Sequence, residues 1–588
     1  MLQKQNIHFW ILIVIATIAL CTDYLMFVLQ MPYFVALIIS CVLGFILHRY
    51  FIKKKKITFT ADWNAFDIVM ITLVIAFAIS KISLPDYSYD VANYHIYLQQ
   101  NTIIDKVHFD FFAGKTENAF LFPLGDRMHY IFRYFLGYRL GTILSYYTLI
   151  IAFYEIKKIL RLAVKNENLI SIFAIFCIFS STLVRMWSGT YYIDTFSIPL
   201  LLEILYIVLT FVQNKELFQM KQITMICFLT GIATAIKVSN AILIIPIVLF
   251  GVICNRKYLR TLQYRYLVIP IALAIFPALL YALDNYIQVG NILFPYYNQI
   301  FRSDYFGYFS WKDHRIGIPS FWHTLIWPIY TSVISLGYGD DWYITEPIWA
   351  IGYVFLLIYL VVSFMKKKKN TMQYYIAIIT ILMTAFWIFI LDGYMRYALI
   401  IPVLYSIIIS ISCITLIEMM YRKWKEKHHL KINFQVVKCW AYLALIVFLV
   451  ANIALLSEDV KENYEFVLKD RDVKPIEIDG VWGTIGDDVY LTELLRNKKT
   501  PIYNLNKNLF VSSELANQLY HEKIENNALY VLIDAWHLDD RTIQLEESDF
   551  ELGELVATYE PEQIPYLSKY NELYLYQVNY KGEIPNES

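Results

Sequence analysis

The stretch from Leu84 to Gln100 carries the side chains best suited to chemistry, and it directly follows an apolar segment. Asp90 could act as a general base that accepts a proton from a hydroxyl or an amine. Tyr94 and His95 follow closely, and the histidine could hydrogen-bond a phosphate or a sugar. On a continuous helix, however, residues five apart face different sides. The simpler alternatives are that Asp90 caps a helix beginning near Val91 and that His95 is an interfacial packing residue.

A second acid, Asp194, ends the segment Ser188–Asp194 between two apolar runs. Two carboxylates from separate outer connections could converge on one site or on one divalent cation, which favours oxygen ligands. The alternative is that Asp194 caps the following helix. The seven cysteines lie in or beside apolar segments and form no CxxC or Cys/His spacing suited to zinc. The sequence therefore leaves the metal question open.

Two cations complete the set of candidate residues. Lys237 lies in a hairpin of two apolar runs, and Arg396 precedes Tyr397 in a short polar turn. Both lie on the face that the positive-inside rule depletes of cations, so we expect them to bind phosphate. We expect Tyr94 and Tyr397 to contact the same substrate. The alternatives are snorkelling to lipid headgroups and, for Arg396, pairing with Asp392.

The composition indicates that the protein carrying these residues is a membrane protein. Of 588 residues, 58% are hydrophobic and 17% are charged, and the mean hydropathy is +0.47. A soluble protein of this size could not bury so much apolar surface. The formal net charge is zero, with 50 basic and 50 acidic residues, so charge gives no indication of nucleic-acid binding. The apolar composition instead indicates that membrane lipids surround the protein.

Apolar runs of spanning length predict a polytopic, all-α bundle of about thirteen transmembrane helices. We place them near residues 8–25, 31–52, 65–83, 139–157, 168–184, 196–213, 222–236, 240–254, 267–285, 346–365, 373–391, 398–418 and 436–456. Basic clusters, among them Lys53–Lys56 and Lys366–Lys369, all fall on one face. By the positive-inside rule, the amino terminus is then cytoplasmic and the carboxyl terminus extracytoplasmic.

The same topology gives the outer face two long loops, about 84–138 and 286–345. Both loops mix aromatic and charged residues, which predicts amphipathic helices on the membrane surface. We therefore expect one transmembrane domain over residues 1–456 and a second, soluble domain over residues 457–588. Alternating strand and helix patterns in the second predict a small extracytoplasmic α/β domain. Its predicted strands are 473–478, 501–505, 528–533, 554–559 and 572–580, and its predicted helices are 488–497 and 512–524.

The ordered set of outer-face motifs resembles bacterial members of the GT-C glycosyltransferase superfamily. The motifs span roughly residues 84–402 and read Asp90-Val-Ala-Asn-Tyr-His95, Thr190-Tyr-Tyr-Ile-Asp194, Gly231…Lys237…Pro246, Gly290-Asn-Ile-Leu-Phe-Pro-Tyr-Tyr-Asn298 and Gly393-Tyr-Met-Arg-Tyr397…Pro402. By this resemblance, Asp90 matches the family's catalytic acid and Asp194 the acid of the second loop. Lys237 and Arg396 match positions suited to the donor phosphate. The chain departs from the family in its lone Asp90, where adjacent paired acids are usual, and in an extra helical hairpin before the first loop.

The resemblance implies an inverting hexosyl- or pentosyltransferase in the bacterial cell membrane. It would take a sugar from a polyprenyl-phosphate donor and transfer it on the outer face to a cell-envelope glycan, lipid or protein. One alternative is a polysaccharide polymerase or ligase, which would depend on loop arginines such as Arg127 and Arg315. The pair Asp126-Arg127 could also simply bond to each other. A lipid-glycan flippase or transporter is the remaining alternative, and it predicts ionisable residues in the middle of the spans.

Overall fold

The structure is a computed structural model of the whole chain. It describes residues 4–5, 7–55, 58–59, 64–82, 90–100, 105–107, 118, 120–214, 220–256, 264–310, 317–334, 344–366, 371–428, 476–485, 500, 502–507, 512–524, 527–560 and 572–582. The predicted last span, 436–456, the predicted boundary at 456/457, the predicted helix 488–497 and the loop residue Arg315 lie outside these ranges.

Helices dominate the first 428 residues. Their bounds are α1 Ile7–Leu29, α2 Tyr33–Lys55, α3 Ala65–Ile82, α4 Ile96–Gln100, α5 Leu124–Leu140, α6 Ile143–Arg161, α7 Glu167–Phe179, α8 Thr182–Trp187, α9 Ser197–Asn214, α10 Met220–Ile236, α11 Ser239–Cys254, α12 Val268–Val289, α13 Asn298–Phe301, α14 Phe321–Val333, α15 Pro347–Met365, α16 Met372–Ile390 and α17 Ile400–His428. Two short strands, β1 Lys4–Gln5 and β2 Thr58–Phe59, pair in parallel near the amino terminus.

Within the described ranges, seven helices are long and apolar enough to cross a membrane, or up to eight if the bent pair α5–α6 is one span. This is the architecture of a multi-pass membrane protein. The predicted number of thirteen is not confirmed. One reason is that α7, α10 and α11 have 13, 17 and 16 residues, and a span of the hydrocarbon core requires about 20.

The spans differ in how deeply they lie in the bundle. Of the span that begins at Asp194, 89% is buried inside the protein, whereas only 22% of the span Arg265–Val289 is buried. Apolar residues cover both helices, so hydropathy alone does not distinguish an interior helix from one that faces lipid. The interior helix carries Asp194 at its start, and it therefore fixes one edge of the site at the centre of the bundle.

The first predicted outer loop contains a helix that the sequence did not localise. Helix α5 carries Asp126, Arg127 and Arg133 and meets α6 at a bend of 108°. Gly137 interrupts α5 with a φ of 79°, a left-handed conformation that glycine adopts without steric cost. The predicted span 139–157 thus corresponds to α6 alone. In the second outer loop, α14 is the corresponding helix.

Residues beyond 476 form a mixed five-stranded sheet. Its strands are β3 Val481–Thr484, β4 Ile502–Asn504, β5 Leu529–Asp534, β6 Phe550–Tyr559 and β7 Leu573–Tyr580, in the order β4-β3-β5-β7-β6. Strand β3 is parallel to β4 and β5, and β7 is antiparallel to β5 and β6. Helices α18 Ser513–Ile524 and α19 Leu538–Glu547 accompany the sheet. An α/β domain was predicted here, but β3 and α19 were missed.

The sheet contacts the helical part of the chain through Tyr305. This residue packs against the apolar cluster of the sheet and also against a second cluster that contains Tyr97 of α4 and Phe306. Because α4 directly follows the turn that carries Asp90, Tyr305 links the sheet to the segment that carries the candidate site.

Candidate active site

Asp90 lies at the start of an unusually wide helical turn, Val91–His95, which is closed by the N–H of Ile96 donating to the carbonyl of Val91. Such i→i+5 turns are rare and are frequent at functional sites. Asp90 itself has helical dihedral angles and makes no capping hydrogen bond. The capping alternative is therefore wrong. The expected separation of Asp90 and His95 is also wrong, because the wide turn brings residues five apart towards one side.

Arg396 holds the Asp90 carboxylate in an ion pair, with 2.5 Å between Nη1 and Oδ2. The Tyr94 hydroxyl donates a second hydrogen bond to Asp90. Burial alone would raise the pKa of Asp90, but the charges of Arg396 and His95 and these hydrogen bonds lower it below its ordinary 3.8. Asp90 is thus ionised throughout the neutral pH range. The alternative partner for Arg396, Asp392, does not hold it.

Aromatic rings surround the Arg396 guanidinium, whose residue is 6% exposed. The ring centroids of Tyr192, Tyr394, Trp187 and Tyr397 lie 4.8, 5.2, 5.6 and 5.9 Å from its central carbon. Stacking on ring faces stabilises a guanidinium without neutralising it. The backbone reaches this position through the turn Met395–Ala398, which follows Gly393 at a φ of 69°. A side chain at 393 would collide with Trp327.

Lys237 and Asp194 form a second ion pair beside the first, with 2.5 Å between Nζ and Oδ1. The ammonium also lies 4.1 Å from the ring centroid of Tyr397, so Tyr397 contacts both cations. Burial lowers the pKa of Lys237 below 10.5, opposed by Asp194 and reinforced by Arg396. Asp194 therefore bonds a cation and does not serve as the helix cap that was the alternative.

His95 is held by Asp126, with 2.8 Å between Nδ1 and Oδ1. Both side chains are buried, at 4% and 1% exposure. The His95 ring lies against Tyr94 and Tyr192, with centroids at 4.4 and 5.3 Å. The hydrogen bond fixes the orientation of the imidazole, so the Nε2 edge is the one left to face Asp90 or a ligand. The predicted alternative, a pair between Asp126 and its neighbour in sequence, is wrong.

Arg127 is engaged elsewhere. Its Nε lies 3.2 Å from the Asp23 carboxylate, and its two terminal nitrogens donate to the carbonyls of Leu98, Gln99, Lys106 and Val107. Tyr281 donates to the other oxygen of Asp23 at 2.8 Å. The extra amino-terminal hairpin, which contributes Asp23, thus anchors the segment that carries Asp90 and His95.

A short helix, α8, presents Trp187 to the site and is held at both ends by charged side chains that the sequence reading missed. At its start, Glu346 accepts the N–H of Leu183 at 2.9 Å. At its end, the Lys81 ammonium donates to the carbonyls of Arg185, Met186 and Ser188 at 3.1, 2.6 and 2.8 Å. A carboxyl oxygen that accepts an N–H suits the start of a helix, and a cation suits its end. Burial raises the pKa of Glu346 from 4.5 to about 7.

All seven residues predicted for the site therefore lie in one cluster. They are Asp90, Tyr94, His95, Asp194, Lys237, Arg396 and Tyr397. The structure adds Asp126, Trp187, Tyr192 and Tyr296 to them. Tyr296 lies within electrostatic range of Arg396 and Tyr397, and it belongs to the motif Gly290–Asn298, whose helix-ending Gly290 has a φ of 73°. An aromatic-rich motif beside a helix stop was the available signal for Tyr296. For Trp187 and Asp126 the sequence offered none.

The acids at this site are paired with basic side chains. Asp90, Asp194 and Asp126 are each bonded through one carboxylate oxygen to a different basic side chain. Within the described part of the chain, no group of three or more His, Cys, Asp or Glu is arranged to hold a metal. What the site offers is a base, two cations and aromatic faces. This set can bind an anion and remove a proton next to it.

No family model and no curated protein matches this sequence. Among solved structures, the crystal structure of ArnT from Cupriavidus metallidurans bound to undecaprenyl phosphate matches with a TM-score of 0.44 and 10% identity. The match covers 87% of this chain and 97% of that chain. A TM-score below 0.5 does not establish a shared fold. The functional argument therefore depends on the site itself.

Proposed function

We propose that this protein is an inverting membrane glycosyltransferase of GT-C type. It transfers a sugar from a polyprenyl-phosphate donor to a cell-envelope acceptor on the outer face of the bacterial membrane. The observation that carries the proposal is the pairing of a carboxylate base, Asp90, with Arg396, next to Lys237 and inside an aromatic cluster. A base beside two cations is what displacement of a lipid phosphate from a sugar requires.

In this mechanism, the acceptor hydroxyl or amine attacks the anomeric carbon of the sugar. Asp90 takes the acceptor's proton as the new bond forms. The bond between the anomeric carbon and the phosphate oxygen breaks on the opposite face, and the electron pair leaves with the polyprenyl phosphate. Arg396 and Lys237 stabilise the negative charge that the phosphate gains. A single displacement of this kind inverts the anomeric configuration.

Aromatic rings suit the remainder of the substrate. Tyr94, Tyr192 and Tyr296 lie beside the charged pairs, and aromatic faces stack on sugar rings and pack against polyprenyl chains. His95, oriented by Asp126, supplies a hydrogen bond to the sugar or phosphate. The proposed mechanism assigns no step to the divalent cation considered from the sequence.

The proposed topology has a cytoplasmic amino terminus and an extracytoplasmic sheet domain, with a boundary near residue 457. The contact of Tyr305 with the sheet supports this arrangement, since Tyr305 belongs to the second predicted outer loop. A sheet that contacts that loop belongs on the outer side, where an acceptor would approach. The sheet domain could therefore bind the acceptor.

The alternative functions receive less support. A polymerase that uses Arg127 requires this side chain to reach substrate, yet Arg127 is 1% exposed and bonded to Asp23 and backbone carbonyls. A transporter predicts ionisable residues within spans, and a buried group of these does exist. Lys157 pairs with Asp67, and Lys158 pairs with Glu155 and Glu203, each at 2.6 or 2.7 Å. Because each of these side chains is bonded to another member of the group, we interpret the group as structural.

The test compares purified wild type with Asp90→Asn in transfer of radiolabelled sugar from polyprenyl phosphate to an envelope acceptor extract. We expect the variant to lose about 100-fold or more in rate, because a general base contributes at least that much. Asp304→Asn, an exposed acid of the second outer loop, is the matched control and should behave as wild type. Transfer that survives Asp90→Asn would refute the base. Failure of every sugar donor with wild type would refute the enzyme class.

A further inference from the structure

Two buried hydrogen-bond donors at the site lack acceptors. The indole Nε1 of Trp187 and the Nε of Arg396 are both inaccessible to solvent, and neither has a hydrogen-bond partner in the described part of the chain. The residues are 2% and 6% exposed. Buried N–H groups in native proteins are nearly always bonded, so an unbonded pair points to an absent acceptor. The guanidinium carbon lies 5.6 Å from the Trp187 ring centroid, so the two unbonded donors belong to side chains in contact with each other.

We propose that Trp187 is a substrate-binding residue whose indole N–H, together with the Nε–H of Arg396, holds the phosphate of the lipid donor. This inference rests on the proposed function. Phosphate is the matching group because it presents several acceptor oxygens and no obligatory donor, whereas a sugar hydroxyl must also place its own hydrogen. The second cation, Lys237, lies 4.1 Å from the ring centroid of Tyr397 and adds to the attraction for an anion.

The geometry of Arg396 allows it to hold the base and the phosphate at once. Its Nη1 is bonded to Asp90, and its Nε points along a different edge of the planar guanidinium. One rigid fork can therefore fix the distance between the proton-accepting carboxylate and the leaving phosphate. Trp187 would hold the phosphate from its other side, so the phosphate does not have to displace Asp90.

The backbone around Trp187 is held rigidly, as a binding residue requires. Lys81 bonds the carbonyls of the two residues before Trp187 and of the one after it, and Glu346 bonds the other end of α8. The indole also packs against Tyr192 with a centroid distance of 4.3 Å. Because the Trp187 side chain is fixed in this way, it loses little conformational freedom when a ligand binds to its N–H.

Trp349 provides a matched comparison. Its indole N–H is likewise buried and without a partner among the described residues, but its neighbours are the rings of Trp387 and Tyr405. Trp349 thus packs among aromatic and apolar side chains of the core. The two tryptophans therefore share burial and differ in the guanidinium beside Trp187.

The experiment measures binding of three probes, polyprenyl phosphate, polyprenol and inorganic phosphate, to full-length wild type, W187F, W187H and W349F. We expect W187F to bind polyprenyl phosphate about tenfold more weakly, which corresponds to about 1.4 kcal/mol for a lost hydrogen bond. W187H, which keeps an N–H donor, should recover most of the affinity, and W349F should bind as wild type. Polyprenol affinity should be the same in all four proteins.

Affinity of W187F for polyprenyl phosphate within twofold of wild type would overturn the inference and leave the proposed function standing. An equal loss for polyprenol would also overturn it, because ring packing would then be the cause. If inorganic phosphate bound as tightly as polyprenyl phosphate, the site would not be specific for a lipid-linked phosphate, and this part of the inference would be refuted. Wild type that binds no polyprenyl phosphate would refute the proposed function itself.

A spectroscopic measurement covers the case in which W187F fails to fold. Wild type is labelled with 5-fluorotryptophan, and the ¹⁹F resonance of Trp187 is identified by its absence in W187H. We expect this resonance to shift on addition of polyprenyl phosphate and to stay in place with polyprenol. A resonance that does not move with the phosphorylated lipid would overturn the inference.

Discussion

Asp90 and Arg396 are 306 positions apart in the chain and are joined by a 2.5 Å ion pair. The pair connects the first predicted outer loop with the turn before α17, so it joins two distant segments of the chain at the site. In the proposed mechanism, Asp90 is the base and Arg396 binds the phosphate, and in this structure each is the other's counter-charge. Chemistry and stability are therefore linked at this pair.

Arg396→Met should destabilise the protein because it leaves the Asp90 carboxylate without its cation. Loss of one partner of a buried pair costs about 3 to 5 kcal/mol. The double variant Asp90→Asn with Arg396→Met should lose less than the sum of the two single losses, since no charge is left uncompensated. The measurement is the free energy of unfolding by chemical denaturation in mixed micelles.

An exposed ion pair serves as the control for this cycle. Lys581 and Glu551 lie 2.5 Å apart in the sheet domain, but their side chains are 58% and 50% exposed. We expect almost no coupling between Lys581→Met and Glu551→Gln, because solvent screens exposed pairs. If the losses in unfolding free energy from Asp90→Asn and Arg396→Met were strictly additive, the ion pair between them would not contribute to stability.

Lys237 should give the transfer reaction an alkaline limit. Burial lowers the pKa of its ammonium below 10.5, and only the protonated form attracts phosphate. The kcat/KM for the sugar donor should thus fall with rising pH, and the fall should begin below pH 10.5, where an ordinary lysine is still protonated. Lys237→Arg should remove this fall, because a guanidinium stays protonated. Asp194→Asn should move the fall to lower pH, because Asp194 raises the pKa. A pH profile unaffected by Lys237→Arg would refute the assignment.

Asp126 should act as a positioning residue through His95. Asp126→Asn removes the charge that orients the imidazole, so we expect kcat to fall about tenfold with little change in the KM for the donor, since small displacements near reacting groups are costly. His95→Gln should give a similar loss. His129→Asn, a buried histidine one turn further along α5, should alter stability alone. A loss from His129→Asn equal to that from Asp126→Asn would indicate a general packing effect.

Glu346 should make stability depend on pH. Burial raises its pKa from 4.5 to about 7, so between these values the folded protein keeps a proton that the unfolded chain releases. Stability should therefore decrease as pH rises from about 4.5 to about 7, by up to about 3 kcal/mol, and change no further from this group above that range. Glu346→Gln should flatten this dependence. Unfolding midpoints at pH 5 to 8 measure it, and an unchanged slope in Glu346→Gln would contradict the prediction.

Hydropathy predicted most helices within a few residues, as for the runs 65–83 and 373–391 against Ala65–Ile82 and Met372–Ile390. This succeeds because bilayer-spanning helices must be long and apolar. The same signal could not count the spans, because short buried helices such as α7 are equally apolar. It also missed α5, whose face toward the bundle carries Asp126 and Arg127.

The sequence by itself determined which residue types were available. These are the acids of the predicted outer loops and two cations, Lys237 and Arg396, on the face that the positive-inside rule depletes of cations. Charge and hydropathy are local properties, and they place a residue relative to the membrane without reference to the rest of the chain. Only the tertiary structure decided the partners. Arg396 bonds Asp90 and not its neighbour Asp392, and Asp126 bonds His95 and not Arg127. In both cases the packing of distant segments decides which side chains face each other, and proximity in sequence does not. The role of Trp187 depends on that packing entirely.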